Sequence, residues 1–422
     1  MTRQPIRASR HFVLAAGGTG GHLNPAFALA TELDRRGHRV ALITDARGEA
    51  IPGKPDFLAA HVIPAGRFGK NPLHWIKGLS AVLEGRAMAR RLFDSFAPGA
   101  VVGFGGYPSL PTLLAATGAG IPSVVHEQNA VLGRVNRFLA GRVRAIATAY
   151  QEVERLRPDH AMKTFCVGNP VRAEVLALRE QDYPPLPEDG LLRVLVTGGS
   201  QGARVLSEVV PDGLAMLPPA VRMRLQVTQQ CRAEDIDRVR ERYRTHGIPA
   251  DLGTYFEDMA HRLADAHLFI GRAGASTIAE LTTVGRPAIL IPLPIATDDH
   301  QAANTREMVK AGGARMIRQP METVRDPATM GEAGNALRRR QSELFQKLAK
   351  DICKQIMALA DDREGLGNAA HAAWNCGRPE AASELADLVE SFGGDELMDV
   401  IRVGGEVRGA GQGAIAGQGA GL

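Results

Sequence analysis

His11-Phe-Val-Leu-Ala-Ala16 runs directly into Gly17-Gly-Thr-Gly-Gly-His22, and residues 24–36 then carry helical spacing as far as Gly37. A short, continuously apolar run that ends in a glycine loop and opens a helix is the repeating unit of a parallel sheet covered on both faces. The unit recurs. Arg39-Val-Ala-Leu-Ile-Thr44 reads as a second strand, and Ala100-Val-Val-Gly103 as a third that enters Gly103-Phe-Gly-Gly-Tyr-Pro108. Pro122-Ser-Val-Val-His126 follows. Then the pattern restarts, with Leu191-Leu-Arg-Val-Leu-Val-Thr197 entering Gly198-Gly-Ser-Gln-Gly-Ala203. Leu225-Gln-Val-Thr228, Leu268-Phe-Ile270 and Pro287-Ala-Ile-Leu-Ile291 supply further strands. The expected fold class is α/β, with two similar doubly wound parallel-sheet domains.

The chain of 422 residues is long enough for two or three domains. Apolar residues make up 45% and charged residues 23%, which is ordinary globular usage. A net charge of +4 is no footprint for duplex nucleic acid, so no nucleic-acid partner is expected. Cys166, Cys231, Cys353 and Cys376 are scattered without C-x-x-C or zinc spacing, which suggests reduced structural thiols in a cytosolic protein. The apolar run after the basic start is too short for a signal sequence. Residues 95–125 hold no charge, yet ten Gly or Pro interrupt them, so they do not read as a membrane span.

The C-terminal quarter differs. Residues 331–361 are rich in Arg, Lys, Gln, Glu and Leu at helical spacing, and 366–392 read as a further amphipathic helix or pair. Gly and Ala dominate from Gly393 onward, a flexible tail by composition. The expected division is 1–168 for the first domain and 169–368 for the second. The third segment, 369–392, returns to the first domain, and 393–422 is a tail.

The glycine loops carry the chemistry. Glycines after a strand let a ligand approach the backbone, and the helix that follows aims its N–H groups and dipole at an anion. His22 sits at the tip of the first loop, at the strand ends where open α/β sheets bind ligands. An imidazole there suits a general base. A tight strand–helix turn with an incidental histidine is the plain alternative. The loop is not a clean dinucleotide fingerprint, although Asp45 at the end of the second strand mimics the ribose-binding acid of NAD proteins. Gly271-Arg-Ala-Gly274-Ala275-Ser276-Thr277-Ile278-Ala279-Glu280 is a third such loop, fit to hold a diphosphate and, through Glu280, a ribose. Asp298 and Asp299 are adjacent and make a weak metal site, so no metal is expected.

With these loops, His126-Glu-Gln-Asn129, Gly168-Asn-Pro-Val-Arg172 and Asp299-His-Gln301 together, the chain resembles the MurG family. Those enzymes are the UDP-N-acetylglucosamine:lipid I N-acetylglucosaminyltransferases of peptidoglycan synthesis. The resemblance runs from about residue 10 to about 330 and again over 368–392. It implies a GT-B fold, two Rossmann-like domains facing a cleft. It implies transfer of GlcNAc from UDP-GlcNAc to the C4 hydroxyl of MurNAc on lipid I, giving lipid II with inversion and without a cofactor. It places the protein at the cytoplasmic face of the bacterial inner membrane, peripherally, with room for partners among cell-wall synthesis proteins.

Carried over by position, His22 is the base on the acceptor hydroxyl. Thr19, Gly20 and Gly21 lie at the sugar and diphosphate, and Asn129 and Gln301 contact the GlcNAc. Arg172 and Ser200 meet the diphosphate or uridine, and Phe256 stands where main chain packs on uracil. Ala275, Ser276, Thr277, Ile278 and Ala279 cradle phosphate and ribose, with Glu280 on the ribose hydroxyls. The chain departs from the family at 334–367, which is longer and more basic than usual. A UDP-GlcNAc 2-epimerase of the same fold and an NAD-dependent oxidoreductase are the competing readings.

A lipid acceptor requires a docking surface. Leu73, Trp75, Ile76, Leu79, Val82 and Leu83 recur at helical spacing, amid Arg67, Lys70, Lys77, Arg86, Arg90 and Arg91. Apolar residues ringed by cations suit an anionic membrane surface. An ordinary core helix with solvated flanks is the alternative, and the exposure of Trp75 and Leu79 decides between them.

Overall fold

The computed structural model describes residues 9–66, 72–199, 202–325, 333–360 and 363–393. Seven strands form the first sheet: β1 (His11–Ala15), β2 (Arg39–Thr44), β3 (Ala59–Val62), β4 (Ala100–Gly103), β5 (Ser123–Glu127), β6 (Ala145–Thr148) and β7 (Thr164–Cys166). Their order is β3-β2-β1-β4-β5-β6-β7, and every pairing is parallel. Six more form the second: β8 (Leu192–Thr197), β9 (Leu225–Gln230), β10 (Ala250–Gly253), β11 (Leu268–Gly271), β12 (Ala288–Leu290) and β13 (Ala314–Met316). That sheet runs β10-β9-β8-β11-β12-β13, also parallel throughout.

The central strands are buried end to end because both faces are covered. Phe12, Leu14 and Val102 pack beneath helix Gly20–Arg35 in one layer of the first domain, and Val13, Val101 and Val125 face the other layer. In the second domain Val194, Val196, Leu225 and Ile270 face one layer, and Leu195, Phe269 and Leu290 the other. In each sheet the order reverses beside the first strand, β1 in one and β8 in the other. That switch point leaves a crevice beyond the carboxyl ends of the strands, and ligands bind there in this architecture.

The long segment after the second sheet forms helix Ala333–Ala360, which packs on helix Arg204–Ala215 through Leu348, Ile352 and Ile356. Helix Arg363–Asn375 lies against helix Ala275–Val284. The chain then crosses back, and helix Ala381–Glu390 buries Leu385, Leu388 and Val389 in the first domain's core. Arg36 fastens it with ion pairs to Asp387 at 2.6 Å and Glu390 at 2.8 Å. Residues 394–422, which include the Gly-rich stretch, lie outside the described residues.

Candidate active site

The first glycine loop is held from two sides. Thr19 is the residue before helix Gly20–Arg35, whose N-terminal N–H groups have no partner within the helix. Asp45 Oδ1 accepts from Gly18 N at 3.1 Å and from Gly48 N at 3.0 Å. Asp45 is therefore a loop clamp and a helix cap. Its resemblance to a ribose-binding acid is corrected, because the carboxylate is already occupied by the backbone. On the other side the 103–108 loop closes over His22. Gly105 and Gly106 have φ of 89° and 77°, and a Cβ at 106 would meet Gly17 O at 2.6 Å. Only glycine allows the two loops to interlock around the imidazole.

His22 Nδ1 lies 2.9 Å from Gln128 Oε1. Behind Gln128 stands His126, buried beneath Phe104, where desolvation pulls its pKa down to about 4. Glu127 is also buried. Its carboxylate accepts from Asn129 N, Asn129 Nδ2, Gly133 N and Asn136 Nδ2 at 2.8–3.1 Å. Four neutral donors make it the organiser of the 127–136 loop. His126 and Glu127 are buried with their polar atoms engaged, whereas the His22 imidazole is only half-buried at the loop tip.

Asn129 bridges the cleft. Its Oδ1 accepts from Asn304 Nδ2 at 3.1 Å. Asn304, fully buried, also accepts from Ala130 N at 2.8 Å and donates to Ala273 O at 3.2 Å. One amide thus connects the two domains with the third glycine loop. Arg137 and Arg155 reach across to Asp298, which has a left-handed backbone at φ 56°. Asp299 pairs with Arg318 at 2.6 Å. These acids are spent on ion pairs.

The third loop caps helix Ala275–Val284 at Gly274, and that helix approaches helix Gly20–Arg35 to within 8 Å between Cα atoms. Arg172 Nε and Nη2 both donate to Glu280 Oε1, at 3.1 and 3.0 Å. Burial pushes the Glu280 carboxyl upward, and Arg172 pulls it back. Ser276 Oγ is buried with no hydrogen-bond partner among the described residues. Beneath the loop Arg272 is buried and donates to Ile291 O, Pro292 O and Gln319 Oε1; desolvation lowers its pKa to about 10, so it stays charged near neutrality. Gln301 Oε1 accepts from Leu293 N at 2.9 Å. Phe256 follows β10, with Arg262 4.3 Å above its ring. Ser200 lies outside the described residues. Of the residues that sequence points to, Asn129 reaches the third loop through Asn304, Arg172 meets Glu280, and the helix that carries His22 adjoins helix Ala275–Val284. Gln128, Asn304 and Arg272 were not singled out, because their partners lie 106, 174 and 47 residues away and no local spacing signals them.

Two parallel-sheet domains facing one cleft make this a GT-B fold. Residues 12–148 match the N-terminal domain of glycosyltransferase family 28, and residues 193–362 match its C-terminal domain. The chain belongs to that family. It is 70% identical over 414 residues to the UDP-N-acetylglucosamine--N-acetylmuramyl-(pentapeptide) pyrophosphoryl-undecaprenol N-acetylglucosamine transferase of Erythrobacter litoralis, covering 98% of each chain. To the enzyme of the same name from Novosphingobium aromaticivorans it is 67% identical, covering 95% of this chain and 97% of the other. Among solved structures, MurG of Acinetobacter baumannii superposes with a TM-score of 0.66 at 27% identity, over 90% of this chain and 99% of that one. A UDP-GlcNAc 2-epimerase from Neisseria meningitidis superposes at 0.58 with 12% identity, over 90% of this chain and all of the other, a likeness of fold alone.

Proposed function

We propose that this chain transfers GlcNAc from UDP-GlcNAc to the C4 hydroxyl of the MurNAc in lipid I, giving lipid II with inversion. The observation that carries the reading is His22, clasped by two glycine loops on a helix that adjoins the donor-type helix Ala275–Val284. In the reaction His22 takes the hydroxyl proton as that oxygen attacks C1 of the sugar. The C1–O bond to the diphosphate breaks, and UDP leaves with the electron pair. Helix N-termini and Arg272 offer fixed positive potential for that developing charge.

On the donor side, Ala275, Ser276, Thr277, Ile278 and Ala279 cradle the phosphates, and the orphaned Ser276 hydroxyl is a ready partner for a phosphate oxygen. Glu280 binds the ribose, with Arg172 beside it and Ser200 near the diphosphate. Phe256 flanks uracil, while Asn129 and Gln301 meet the sugar alongside Thr19, Gly20 and Gly21. An epimerase needs acid–base groups flanking the sugar, and the buried His126 and Glu127 have theirs engaged.

The acceptor's lipid brings the enzyme to the membrane surface, at the cytoplasmic face of the inner membrane. Among the described residues no helix is long and apolar enough to cross a bilayer. On helix Pro72–Phe96, Trp75, Ile76, Leu79 and Leu83 are 58%, 67%, 56% and 56% exposed, with Lys77 exposed among them. Val82 is buried and leaves the proposed patch. The side chain of Leu73, and Lys70 altogether, lie outside what is described. Incubation with UDP-GlcNAc and a lipid I analogue tests the activity. UDP and a new disaccharide are expected; UDP-ManNAc formed with the acceptor untouched would overturn the reading.

A further inference from the structure

His22 is one end of a relay whose other end is the backbone of Gly168. His126 Nε2 lies 2.9 Å from Gly168 O. Gln128 Nε2 lies 2.9 Å from both His126 Nδ1 and His126 O. Gln128 Oε1 completes the line at 2.9 Å from His22 Nδ1. All the intermediate groups are buried.

The two carbonyls fix every proton between them. A carbonyl oxygen only accepts, so His126 must carry its hydrogen on Nε2, leaving Nδ1 as a bare acceptor. The same logic at His126 O orients the Gln128 amide, because its NH2 has to face that oxygen. The NH2 group then serves His126 Nδ1 as well, with one hydrogen for each. Gln128 Oε1 is left facing His22, and it too only accepts. His22 Nδ1 must therefore hold the hydrogen, and its lone pair is on Nε2. The amide assignment rests on two independent acceptors that agree, not on a choice of flip. Burial, by disfavouring a charged His126, keeps the relay from reversing.

We infer that Gln128 and His126 are positioning residues that lock His22 into the tautomer with Nε2 as the free base, through a chain of neutral hydrogen bonds anchored at Gly168. A histidine base held in the wrong tautomer cannot accept the substrate proton, which is why enzymes orient it with a second group. Here the orienter is an amide, so the base is aligned without a carboxylate beside it. The anchor is also fixed, since Gly168 has φ 90° and a Cβ there would meet Arg378 Cβ at 2.8 Å.

The inference rests on His22 being the base, but its first test does not need activity. Long-range proton–nitrogen spectra of protein labelled at the histidine ring nitrogens report which nitrogen of His22 is protonated. The expected result near neutral pH is Nδ1–H for His22 and Nε2–H for His126. An Nε2–H form for His22 in the wild-type protein overturns the relay, whatever His22→Ala does to turnover. The second test is Gln128→Leu, which keeps bulk and removes both hydrogen bonds. It is expected to lose the Nδ1–H signature and to lower kcat by roughly 10- to 100-fold, with KM for UDP-GlcNAc unchanged. His126→Phe, which leaves Gln128 anchored on the 126 carbonyl, is expected to fall between the two. A folded Gln128→Leu protein with wild-type kcat and an unchanged His22 spectrum contradicts the proposal.

Discussion

The two halves of the cleft solve opposite electrostatic problems. Around His22 the partners are neutral: the Gln128 amide, an uncharged His126 and two backbone carbonyls. Across the cleft the loop that begins helix Ala275–Val284 is surrounded by charge. Arg172 pairs with Glu280, and buried Arg272 has only neutral oxygens as partners among the described residues. A base must keep a free lone pair, and neutral partners orient it without altering its charge. A diphosphate leaving group needs fixed positive potential, and in the proposed reaction buried guanidinium with helix N–H groups would supply it. Both loops follow a strand and open a helix, yet what stands behind them differs.

The largest expected effect comes from removing the base. His22→Ala is expected to lower kcat by roughly 10²–10⁴, the usual share of general acid–base catalysis. Calorimetry with UDP-GlcNAc is expected to show unchanged affinity. Weakened donor binding would blur the division between the halves.

Buried imidazoles in both domains, His126 on β5 and His267 just before β11, also predict a pH response. His126 and His267 have pKa values of about 4 through burial, against about 6.5 when unfolded. Below the unfolded value the open chain takes up a proton that the native state refuses. Stability is thus whole above pH 6.5 and declines as pH falls toward 4, by about 3 kcal/mol per histidine. Urea midpoints measured at falling pH should drop in that window. A flat profile would mean that these imidazoles are charged in the native state.

Glu280→Ala probes the charged side. Losing a charged hydrogen bond to a ribose hydroxyl costs about 1.5–3 kcal/mol. Titration with UDP-GlcNAc should show that weakening, and a 2′-deoxyuridine donor should show less of it. Equal losses for both donors would remove Glu280 from the ribose. The smallest effect belongs to the docking helix. Lys77→Glu should weaken binding to anionic vesicles by about 1 kcal/mol and spare a short-chain soluble acceptor, while Trp75→Ser with Leu79→Ser deepens the loss. Vesicle binding that survives all three changes would exclude this surface.

The central strands were legible in the sequence because they are largely apolar, and β1, β4, β8 and β11 end at or just before a glycine. The expected Arg39–Thr44 and Ala100–Gly103 match β2 and β4 residue for residue. The strands that escaped notice, β3, β7, β10 and β13, are sheet edges, and β6 lies next to one. They have three or four residues each, and β3, β7 and β10 are only partly buried, so they lack the apolar run that marks a strand. Val82 departs from the expected exposed stripe because helical spacing alone does not say which flank of a stripe meets the core. The glycine loops at the strand ends were legible, since each follows an apolar run and opens a helix. What orients them was not. A glutamine two residues from a histidine carries no signal until the fold brings a second histidine to its oxygen.

The division of labour is tested most directly by single-turnover transfer across a range of UDP-GlcNAc concentrations, with His22→Ala beside Glu280→Ala. The account predicts a lowered plateau and an unchanged half-saturation point for His22→Ala, and mainly a raised half-saturation point for Glu280→Ala. A His22→Ala enzyme whose deficit vanishes at saturating donor would contradict it.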